Sequence, residues 1–500
     1  MKAFKLIFHQ YFLGTVLVLL VGLYIYSLPG RVPDIDDAWV GELAYFLAED
    51  GQMHSNLMRG ITMQEEKFVV NNKLFVLTGA LFIRVMGFSL YVLKSVSLLW
   101  FLLFMFLFIA YTTRWKRRFG QKELLFAFVI LFAYPWIFKY SFLFRPEVMM
   151  MTLGFAGFIL LESYLERTGR NWLLLILSAL IFGLTMATHL NGIILITAAS
   201  MLLLWYRKYP DFLIFGLVSL AGFSIYFYDM THLSDFELWR HQFFDSPSLD
   251  SLEETSVWLK PLFNLLDEHM RYFHNLEIIA FSLFLFVTMI IGFRYVYRHN
   301  KVLARFALLV FILTGIFAMH KSRQYILLNL PYLIILITLS FRGVADGKIS
   351  TFSWNRPEMI RATLIFLFAG FLGVSTYFNI RLSSGDFSPA ENAARTRQYA
   401  GSHPEEMRIV APMTFVFNEI ENYKSIQSDL CYVELQKSDP GIQGRGFFRK
   451  ANAFDASLIM VEPYYQARLG LSDLKTGDTI GGYLMVDDTE FARVFRRLPQ

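Results

Sequence analysis

The chain has 500 residues, of which 55% are hydrophobic and 17% are charged, and its formal net charge is +5. A charged fraction so far below that of soluble domains favours a polytopic membrane protein, and the positive charge does not indicate nucleic acid because Lys and Arg collect in cytoplasmic loops. The single cysteine, Cys431, excludes an intramolecular disulfide.

Eleven apolar segments approach the ~20 residues that a helix needs to cross a membrane. In chain order they are 6–28, 90–113, 122–140, 147–165, 172–188, 190–206, 211–230, 276–297, 302–319, 324–342 and 361–380. The first follows Lys2 and Lys5 and has no small-residue cleavage site after it, so we predict a retained signal anchor.

The charges between these segments predict their orientation. Basic residues recur in "RWKRRFGQK", "ERTGR", "YRKY" and "RYVYRHNK", which are alternate loops, whereas the loop 231–275 is rich in Asp and Glu. Because cytoplasmic loops carry the excess of Lys and Arg, the N-terminus is predicted to be cytoplasmic. The loops 29–89 and 231–275, and all residues after 380, are then expected outside the cytoplasm.

Three further segments have the apolar spacing of a helix and are too short to span a membrane. "KLFVLTGALFIRVMG" at 73–87 has an apolar part only about 20 Å long, and counting it as a span would reverse the charge pattern of the next loops. A second helix is predicted over 37–49, with Asp36 and Asp37 at its N-terminus, where capping favours a carboxylate. A third is predicted over 261–273. We expect these helices to lie at the membrane interface.

The segment 381–500 differs from the rest of the chain. No apolar run in it approaches spanning length, and short apolar segments such as "RIVAPMTFVF", "ASLIMVE" and "GGYLMVD" alternate with polar turns. We therefore predict an α-helical polytopic membrane domain over 1–380, followed by a small extracytoplasmic α/β domain over 381–500.

Polar residues collect where the predicted spans meet the extracytoplasmic side, which should be poor in cations. They are Asp36 and Asp37 after the first span, Lys139, Arg145 and Glu147 in "FKYSFLFRPEVM", His189 and Asn191 in "ATHLNG", and His320, Lys321 and Arg323 in "AMHKSRQY". Each alone has a simpler explanation, such as a helix cap, a snorkelling side chain or a local ion pair. Together, cations beside a carboxylate suit the transfer of a group from an anionic lipid phosphate.

The order of these motifs resembles a known family. A first span, "DIDDAWVGELAYFLAEDG", an apolar segment ending "VMGFS", the turn "FRPE", "GLTMATHLNGIIL" and "HKSRQYILLNLPYL" follow one another over roughly 6–345. This resembles the C-type glycosyltransferases of the protein O-mannosyltransferase and lipid A aminoarabinose transferase kind. The resemblance implies an integral membrane enzyme that moves a sugar from a polyprenyl phosphate to an extracytoplasmic acceptor.

The resemblance also implies roles for individual residues. Asp36 and Asp37 match an acidic pair in which Asp36 is the catalytic base, and Glu147 matches an acidic position after the third span. His189 lies where a basic residue is common, and Arg323 with Tyr325 matches an Arg-Tyr element.

The first outer loop departs from the family pattern. A Pro-Pro-Leu element with a preceding basic residue is replaced here by "NNKLF", in which Lys73 is the candidate replacement for the basic group. A non-catalytic member of the family is therefore an alternative.

No cofactor is predicted, and metal use stays open. Asp34-Ile35-Asp36 spells an acidic D-x-D motif, and such carboxylates bind a divalent cation in other C-type transferases, although a hard cation needs several oxygen ligands. Neither a P-loop nor an H-E-x-x-H motif is present, and no cytoplasmic loop is large enough for a nucleotide-sugar site.

The sequence thus predicts an inverting, polyprenyl-phosphate-dependent glycosyltransferase of a bacterial inner membrane. Asp36, Asp37 and Glu147 are the predicted catalytic residues. The predicted substrate-binding residues are Lys73, Arg145, His189, Asn191, His320, Lys321, Arg323 and Tyr325. The expected partners are a polyprenyl-phosphate sugar, a glycan, lipid or protein acceptor, and membrane lipids. The alternatives are a transporter or flippase of lipid-linked material and a non-catalytic protein that binds lipid phosphates; paired repeats with broken helices, which transporters often show, are absent.

Overall fold

A computed structural model of the chain describes residues 9–70, 72–116, 118–167, 169–245, 260–318, 322–349, 357–385 and 387–499. The contacts divide the chain into two compact units. Unit 1 comprises 1–32, 97–226 and 255–386, and unit 2 comprises 33–96, 227–254 and 387–500. Neither unit is continuous in sequence, so each is assembled from three separate segments.

The chain is mostly helical. The α-helices of ten or more residues are Gln10–Ser27, Ile35–Glu49, Lys73–Met86, Leu90–Ile109, Gln121–Ala133, Glu147–Glu166, Trp172–Thr188, Ile193–Trp205, Tyr209–Phe223, Leu233–Phe244, Lys260–His269, Leu276–His299, Lys301–Phe317, Leu330–Ala345, Pro357–Ser383 and Pro389–Ala400. Shorter α-helices are Pro135–Tyr140, Val416–Glu419, Asp429–Leu435, Arg445–Ala453 and Pro463–Gln466.

Among the described residues, six helices are long and apolar enough to cross a membrane. They are Gln10–Ser27, Leu90–Trp115, Glu147–Glu166, Tyr209–Phe227, Leu276–His299 and Pro357–Ser383. Three shorter apolar helices are Trp172–Thr188, Leu190–Trp205 and Leu330–Ala345. These helices identify an integral membrane protein, as the composition predicted.

Prolines explain two differences from the predicted spans. The segment predicted as one span over 122–140 is interrupted after Ala133, because Pro135 has no N–H to continue the helix and Tyr134 before it is extended, with φ −66° and ψ 114°. The segment predicted as a span over 324–342 begins as the 3-10 turn Arg323–Leu328. Its α-helix starts only at Leu330, with a proline in its first turn.

Unit 1 has an apolar core that runs between its helices and is rich in aromatic side chains. Phe155 contacts the ring of Phe104, and Phe158 contacts both Phe306 and Tyr332. The predicted helix over 261–273 lies in this unit as Lys260–His269 followed by the 3-10 turn Met270–Phe273.

Unit 2 contains the other two predicted surface helices and a six-stranded sheet. The strands are β1 Arg408–Ala411, β2 Ser425–Ser428, β3 Ala456–Val461, β4 Thr479–Ile480, β5 Tyr483–Asp488 and β6 Arg493–Arg497, in the order β2-β1-β3-β6-β5-β4. Strand β1 pairs in parallel with β2 and β3, whereas β6 pairs antiparallel with β3 and β5. The mixed sheet fits the α/β prediction for this segment.

The segment between the Ile35–Glu49 and Lys73–Met86 helices is bonded directly to this sheet. The backbone N–H of Ser428 donates to the carbonyl of Leu57 at 3.0 Å, and the side-chain Nε2 of Gln427 donates to the carbonyl of Arg59 at 3.0 Å. Ile61 joins the apolar core of the sheet. Unit 2 is therefore one folded body in which the segment after the first apolar helix and the C-terminal segment share hydrogen bonds and a core.

Candidate active site

The first carboxylates lie at the start of the Ile35–Glu49 helix in unit 2. Asp34 is the N-cap residue, and its backbone N–H donates to Oδ2 of Asp37 at 2.9 Å while its own side chain accepts from the N–H of Asp36. The sequence predicted Asp36 and Asp37 as the residues at this helix start, but the cap itself is Asp34, and Asp37 completes a reciprocal capping box. Asp36 is left partly exposed, whereas Asp37 is buried.

Asp37 also meets a lysine that the sequence analysis did not single out. Oδ2 of Asp37 lies 3.7 Å from Nζ of Lys94, and the side chains are 0% and 1% exposed. The buried carboxylate and the buried ammonium stabilise each other, because either charge alone at this position would have a large desolvation cost. Asp37 is thus held in place by both a capping box and an ion pair, which suits a positioning role.

Lys73, the candidate replacement for the family's basic group, is buried at the start of the Lys73–Met86 helix. Its ammonium donates to Oδ2 of Asp229 and lies 5.7 Å from the centroid of the Tyr228 ring. Burial lowers the pKa of Lys73 to about 8, against the opposing effect of the Asp229 carboxylate. Any phosphate that Lys73 binds would share it with Asp229.

In unit 1, Arg145 and Glu147 form an ion pair across the turn "FRPE". The Nη2 atom of Arg145 lies 2.9 Å from Oε1 of Glu147, and Nε is 3.2 Å from both carboxylate oxygens. Glu147 is buried and begins the Glu147–Glu166 helix after Pro146. The local pairing that was one alternative for these residues is therefore real, and it fixes the guanidinium.

Aromatic rings link this pair to Arg323. The guanidinium of Arg145 lies 5.4 Å from the centroid of the Tyr140 ring, the Tyr140 ring lies 5.4 Å from that of Trp136, and the guanidinium of Arg323 lies 5.2 Å from the Trp136 ring. Trp136 and Tyr140 are one turn apart on the Pro135–Tyr140 helix, so they present neighbouring ring faces. Two of the predicted turns are thereby brought together.

The third turn reaches the same group of residues through His189. Its ring lies 5.9 Å from that of Tyr325, and its Nδ1 accepts from the backbone N–H of Asn191 at 3.1 Å. Desolvation lowers the pKa of His189 to about 4, although the Glu147 carboxylate acts in the opposite direction. His189 is therefore neutral at pH 7 and carries its proton on Nε2, so it offers a hydrogen-bond donor and not the cation that the sequence predicted.

These contacts define a cluster, called here the unit 1 cluster: Trp136, Tyr140, Arg145, Glu147, His189, Arg323 and Tyr325. Within the described parts of the chain, the indole Nε1 of Trp136 is buried without a hydrogen-bond partner. Three other predicted site residues, Asp36, Asp37 and Lys73, belong to unit 2. His320 and Lys321 lie outside the described residues.

Arg271 holds the two described residues that flank the segment 319–321. Its buried guanidinium donates to the carbonyl of Ala318 at 2.8 Å and to that of Ser322 at 2.9 Å, and it pairs with Glu268 at 2.7 Å. Two of these hydrogen bonds fix the backbone at Ala318 and at Ser322, and Ser322 directly precedes Arg323. Arg271 is thus a positioning residue for Ser322 and the start of the Arg323–Leu328 turn.

Solved structures of very low sequence identity cover nearly the whole chain. ArnT from Cupriavidus metallidurans bound to undecaprenyl phosphate matches with a TM-score of 0.59 at 13% identity, covering 98% of this chain and 100% of ArnT. The archaeal oligosaccharyltransferase AglB from Archaeoglobus fulgidus, in complex with an inhibitory peptide and a dolichol-phosphate, matches with a TM-score of 0.52 at 11% identity, covering 92% of this chain and 70% of AglB. ArnT and AglB are both C-type glycosyltransferases. The chain has the C-type glycosyltransferase fold.

No protein-family description and no curated protein sequence matches the chain. The C-type fold is therefore established from the backbone, and at 13% identity it transfers no residue role. The recognition of a C-type transferase from short motifs is confirmed at the level of the fold.

Four residues that position the site were missed by the sequence analysis, and three of them could have been found from a sequence pattern. Lys94 is a lone cation within the apolar run "LYVLKSVSLLW", and an ionisable residue inside such a run usually has a buried partner. Trp136 and Tyr140 have the spacing of neighbours on one helix face. The role of Arg271 gave no signal, because the two backbone carbonyls that it holds beside Arg323 are 47 and 51 residues away in sequence.

The acidic D-x-D motif, Asp34-Ile35-Asp36, caps the start of the Ile35–Glu49 helix. The side chain of Asp34 accepts from the N–H of Asp36 at 3.5 Å, and Asp34 belongs to the capping box with Asp37. In the described part of the chain, no three His, Cys, Asp or Glu residues are arranged to hold a metal ion. A divalent cation would need further oxygen ligands from its substrate or from water.

Proposed function

We propose that this protein is an inverting glycosyltransferase that takes a sugar from a polyprenyl phosphate and places it on an acceptor hydroxyl or phosphate outside the cytoplasm. The observation that carries the proposal is the match over the full length of ArnT, a structure that holds undecaprenyl phosphate. A fold shared end to end with an enzyme bound to that lipid makes a lipid-linked donor the first candidate.

The unit 1 cluster supports a phosphate-binding role. Arg145, Arg323 and the buried N–H of Trp136 supply charge and donors of the kind that hold a phosphate, and Tyr325 and the neutral ring of His189 add further polar atoms. Asn191 fixes the His189 tautomer through its backbone N–H. We propose that His320, Lys321 and Lys73 also contribute to donor binding, as the sequence predicted.

The reaction we propose is a single displacement. The acceptor oxygen attacks the anomeric carbon, the bond from that carbon to the phosphate oxygen breaks, and the polyprenyl phosphate leaves with the electron pair. Asp36 takes the proton of the attacking hydroxyl, and its partial exposure suits that role better than the burial of Asp37. Glu147 fixes Arg145, and the cations stabilise the charge that develops on the leaving phosphate.

The membrane arrangement is part of the proposal. We propose eleven spans, a cytoplasmic N-terminus and a bacterial inner membrane, with 29–89, 231–275 and the 381–500 domain outside the cytoplasm. The excess of Lys and Arg in alternate loops supports this orientation. The six long apolar helices support membrane insertion.

The deciding experiment is an assay of the full-length protein in lipid nanodiscs with a radiolabelled polyprenyl-phosphate sugar. We expect time-dependent release or transfer of the label by the wild-type protein and a loss of about a thousandfold in Asp36→Asn, because a general base contributes ~10²–10⁴ in rate. Glu49→Gln, an exposed carboxylate at the other end of the same helix, is the matched control and should keep its activity.

The two rival functions give different results in the same assay. Movement of the intact labelled lipid between leaflets, with no release of the sugar, would identify a flippase. Saturable binding of the lipid with neither release nor movement would identify a non-catalytic lipid-phosphate-binding protein. Wild-type turnover in Asp36→Asn would leave the transferase in place and remove Asp36 as its base.

A further inference from the structure

Two arginines of unit 2 share one buried aromatic ring. The guanidinium carbon of Arg59 lies 5.4 Å from the centroid of the Phe454 ring, and that of Arg408 lies 5.9 Å from the same centroid. Arg408 also donates from Nη1 to the carbonyl of Phe454 at 3.3 Å. A ring attracts a guanidinium without occupying its N–H donors, so most donors of both arginines can still bind a ligand.

The two guanidinium groups are not neutralised by a neighbouring acid. Among the described residues, no carboxylate forms an ion pair with Arg59 or Arg408. Asp455, which follows Phe454 in the chain, is paired with Arg497 instead. Both arginine side chains are half-buried, so a ligand from the solvent can reach them. Two positive charges gathered at one ring repel each other, and this repulsion favours the binding of an anion.

The pairing of the first two strands puts a hydroxyl beside Arg408. Arg408 and Ser425 are the first residues of β1 and β2, and they are paired directly in the parallel register. Paired residues of neighbouring strands project from the same face of the sheet, and the strands lie ~4.8 Å apart. The Oγ atom of Ser425 is buried and has no hydrogen-bond partner within the described parts of the chain. Because an unpaired buried hydroxyl is costly, its place beside a cation is explained by a ligand that accepts from both.

The segment that carries Arg59 lies on this same face of the sheet. Gln427 comes two residues after Ser425 in β2, so its side chain projects from the same face. The Nε2 atom of Gln427 donates to the carbonyl of Arg59 at 3.0 Å, and the thiol of Cys431 donates to the same carbonyl at 3.2 Å. The backbone of Arg59 is therefore fixed against the sheet on the side from which Arg408 and Ser425 project.

The same segment is also bonded to the helix that carries the proposed base. The backbone N–H of Leu57 donates to Oε1 of Glu42 at 3.2 Å, and Glu42 belongs to the Ile35–Glu49 helix, which contains Asp36. Arg59 follows Leu57 by only two residues. A ligand bound by Arg59 is therefore held by a segment that is fixed to the helix of Asp36.

We propose that Arg59, Arg408 and Ser425 form an anion-binding site in unit 2 that takes a phosphate group. Two guanidinium groups and one hydroxyl supply several charged N–H donors and an O–H donor, and such donors suit the oxygens of a phosphate. The site shares unit 2 with Asp36, so we expect the acceptor to carry this phosphate as a recognition group, an expectation that rests on the proposed function. Free inorganic phosphate has the same chemistry. The binding of phosphate does not itself depend on the transfer reaction.

The test measures binding to the full-length, detergent-purified protein by isothermal titration calorimetry. The probes are glucose 1-phosphate and inorganic phosphate, with glucose as the uncharged control. We expect Arg59→Gln combined with Arg408→Gln to bind glucose 1-phosphate about tenfold more weakly, because the charge-assisted bonds to the phosphate are lost. Arg468→Gln is the matched control and should bind like the wild type, because Arg468 is an exposed arginine of unit 2 that lies 5.5 Å from the Tyr464 ring.

Ser425→Ala separates a role in binding from a role in the fold. Removing a buried hydroxyl that has no partner in the described chain should leave the melting temperature unchanged or raise it. The same change should weaken the binding of glucose 1-phosphate about threefold, because one donor to the phosphate is lost. A lower melting temperature with unchanged binding would show that the hydroxyl serves the fold, and it would overturn the site as proposed.

Three comparisons separate this site from the unit 1 cluster, identify the source of the phosphate and isolate the transfer reaction. Arg323→Ala should leave this binding intact, because Arg323 belongs to unit 1. Tighter binding of glucose 1-phosphate than of inorganic phosphate would assign a phosphate-bearing sugar, and equal binding would assign free phosphate. Wild-type binding of both phosphate probes by the double variant, at a wild-type melting temperature, would overturn the proposal. Absence of transferase activity with this binding intact would leave the site in place and remove only the acceptor as its ligand.

Discussion

Three lysines of unit 2 and Arg323 of unit 1 are held in different ways. In unit 2, Lys67 pairs with Asp235 at 2.7 Å, Lys73 with Asp229, and Lys94 with Asp37 at 3.7 Å. In unit 1, Arg323 lies over the ring of Trp136, whereas Arg145 lies over that of Tyr140 and also pairs with Glu147 at 2.9 Å. An ion pair neutralises its cation, whereas a ring face attracts a cation without occupying its N–H donors. The comparison indicates that Lys67 and Lys94 of unit 2 chiefly stabilise the fold and that Arg323 of unit 1 is placed to bind an anion.

The largest effect should come from breaking the buried pair of unit 2. Asp37→Asn leaves the ammonium of Lys94 buried without its carboxylate, which costs about 3–5 kcal/mol in such sites, so the melting temperature in detergent should fall sharply. The double variant Asp37→Asn with Lys94→Met should recover most of that loss. Equal melting temperatures for Asp37→Asn and the wild type would show that the pair does not stabilise unit 2.

Replacing Arg323 should weaken ligand binding and leave the melting temperature nearly unchanged, which is the opposite of the result expected for Asp37→Asn. Arg323→Ala removes a partly exposed guanidinium that stacks on Trp136, so we expect little change in melting temperature and about tenfold weaker binding of a polyprenyl phosphate. The affinity for the acceptor should change less than the affinity for polyprenyl phosphate. Binding of polyprenyl phosphate to nanodisc-embedded variants measures this, with Arg361→Gln as a control for a lost cation. A large loss of stability in Arg323→Ala would place Arg323 with the structural lysines.

For unit 1, much of the candidate site could be predicted from the sequence. Each turn of the unit 1 cluster is short and joins two apolar helices, so its polar residues cannot lie far from the helix ends, and the prediction that Arg145, Glu147, His189 and Arg323 come together followed from that restriction. The apolar periods likewise predicted most helices. The charge of His189 could not be predicted, because its protonation depends on packing by residues distant in sequence.

The contacts of unit 2 were much less predictable. The bond from Ser428 to Leu57 joins residues far apart in the chain, and no periodic pattern links the two segments. The same is true of Lys73 with Asp229. A surface helix can be predicted from its own residues, but the partner of its buried lysine depends on how distant segments pack.

A more gradual effect, spread over several pH units, should appear in the stability of unit 2, where Glu42 is buried and held by neutral donors. Its carboxylate accepts from Oγ of Ser55 at 2.5 Å and from the N–H of Leu57 at 3.2 Å, yet burial raises its pKa to about 8. A carboxyl whose folded pKa is raised stabilises the fold fully below its unfolded pKa, and that contribution is lost as the pH rises from about 4.5 to 8.

Glu42→Gln should remove this dependence. We expect the free energy of unfolding of the wild type to fall by up to ~1.4 kcal/mol per pH unit across that window, and that of the variant to depend less on pH. Melting temperatures in detergent at pH 5, 6, 7 and 8 would measure both slopes, with exposed Glu49→Gln on the same helix as the control. Parallel profiles for Glu42→Gln and the wild type would exclude titration of Glu42 as the cause.

The smallest effect should come from the ring that holds Arg323. Trp136→Leu removes both the ring face 5.2 Å from the guanidinium and the buried indole N–H. A cation–π contact at a partly exposed site contributes ~0.5–1 kcal/mol, so polyprenyl phosphate should bind about threefold more weakly. Trp205→Leu is the matched control, because Trp205 holds Arg305 at 4.9 Å outside the unit 1 cluster. If both variants weaken binding equally, the loss comes from general loosening of the apolar helices, and Arg323 does not depend on Trp136 for its position. If only Trp136→Leu weakens the binding of polyprenyl phosphate, the Trp136 ring positions Arg323 for its ligand. That result would agree with the contrast between Arg323 and the ion-paired lysines of unit 2.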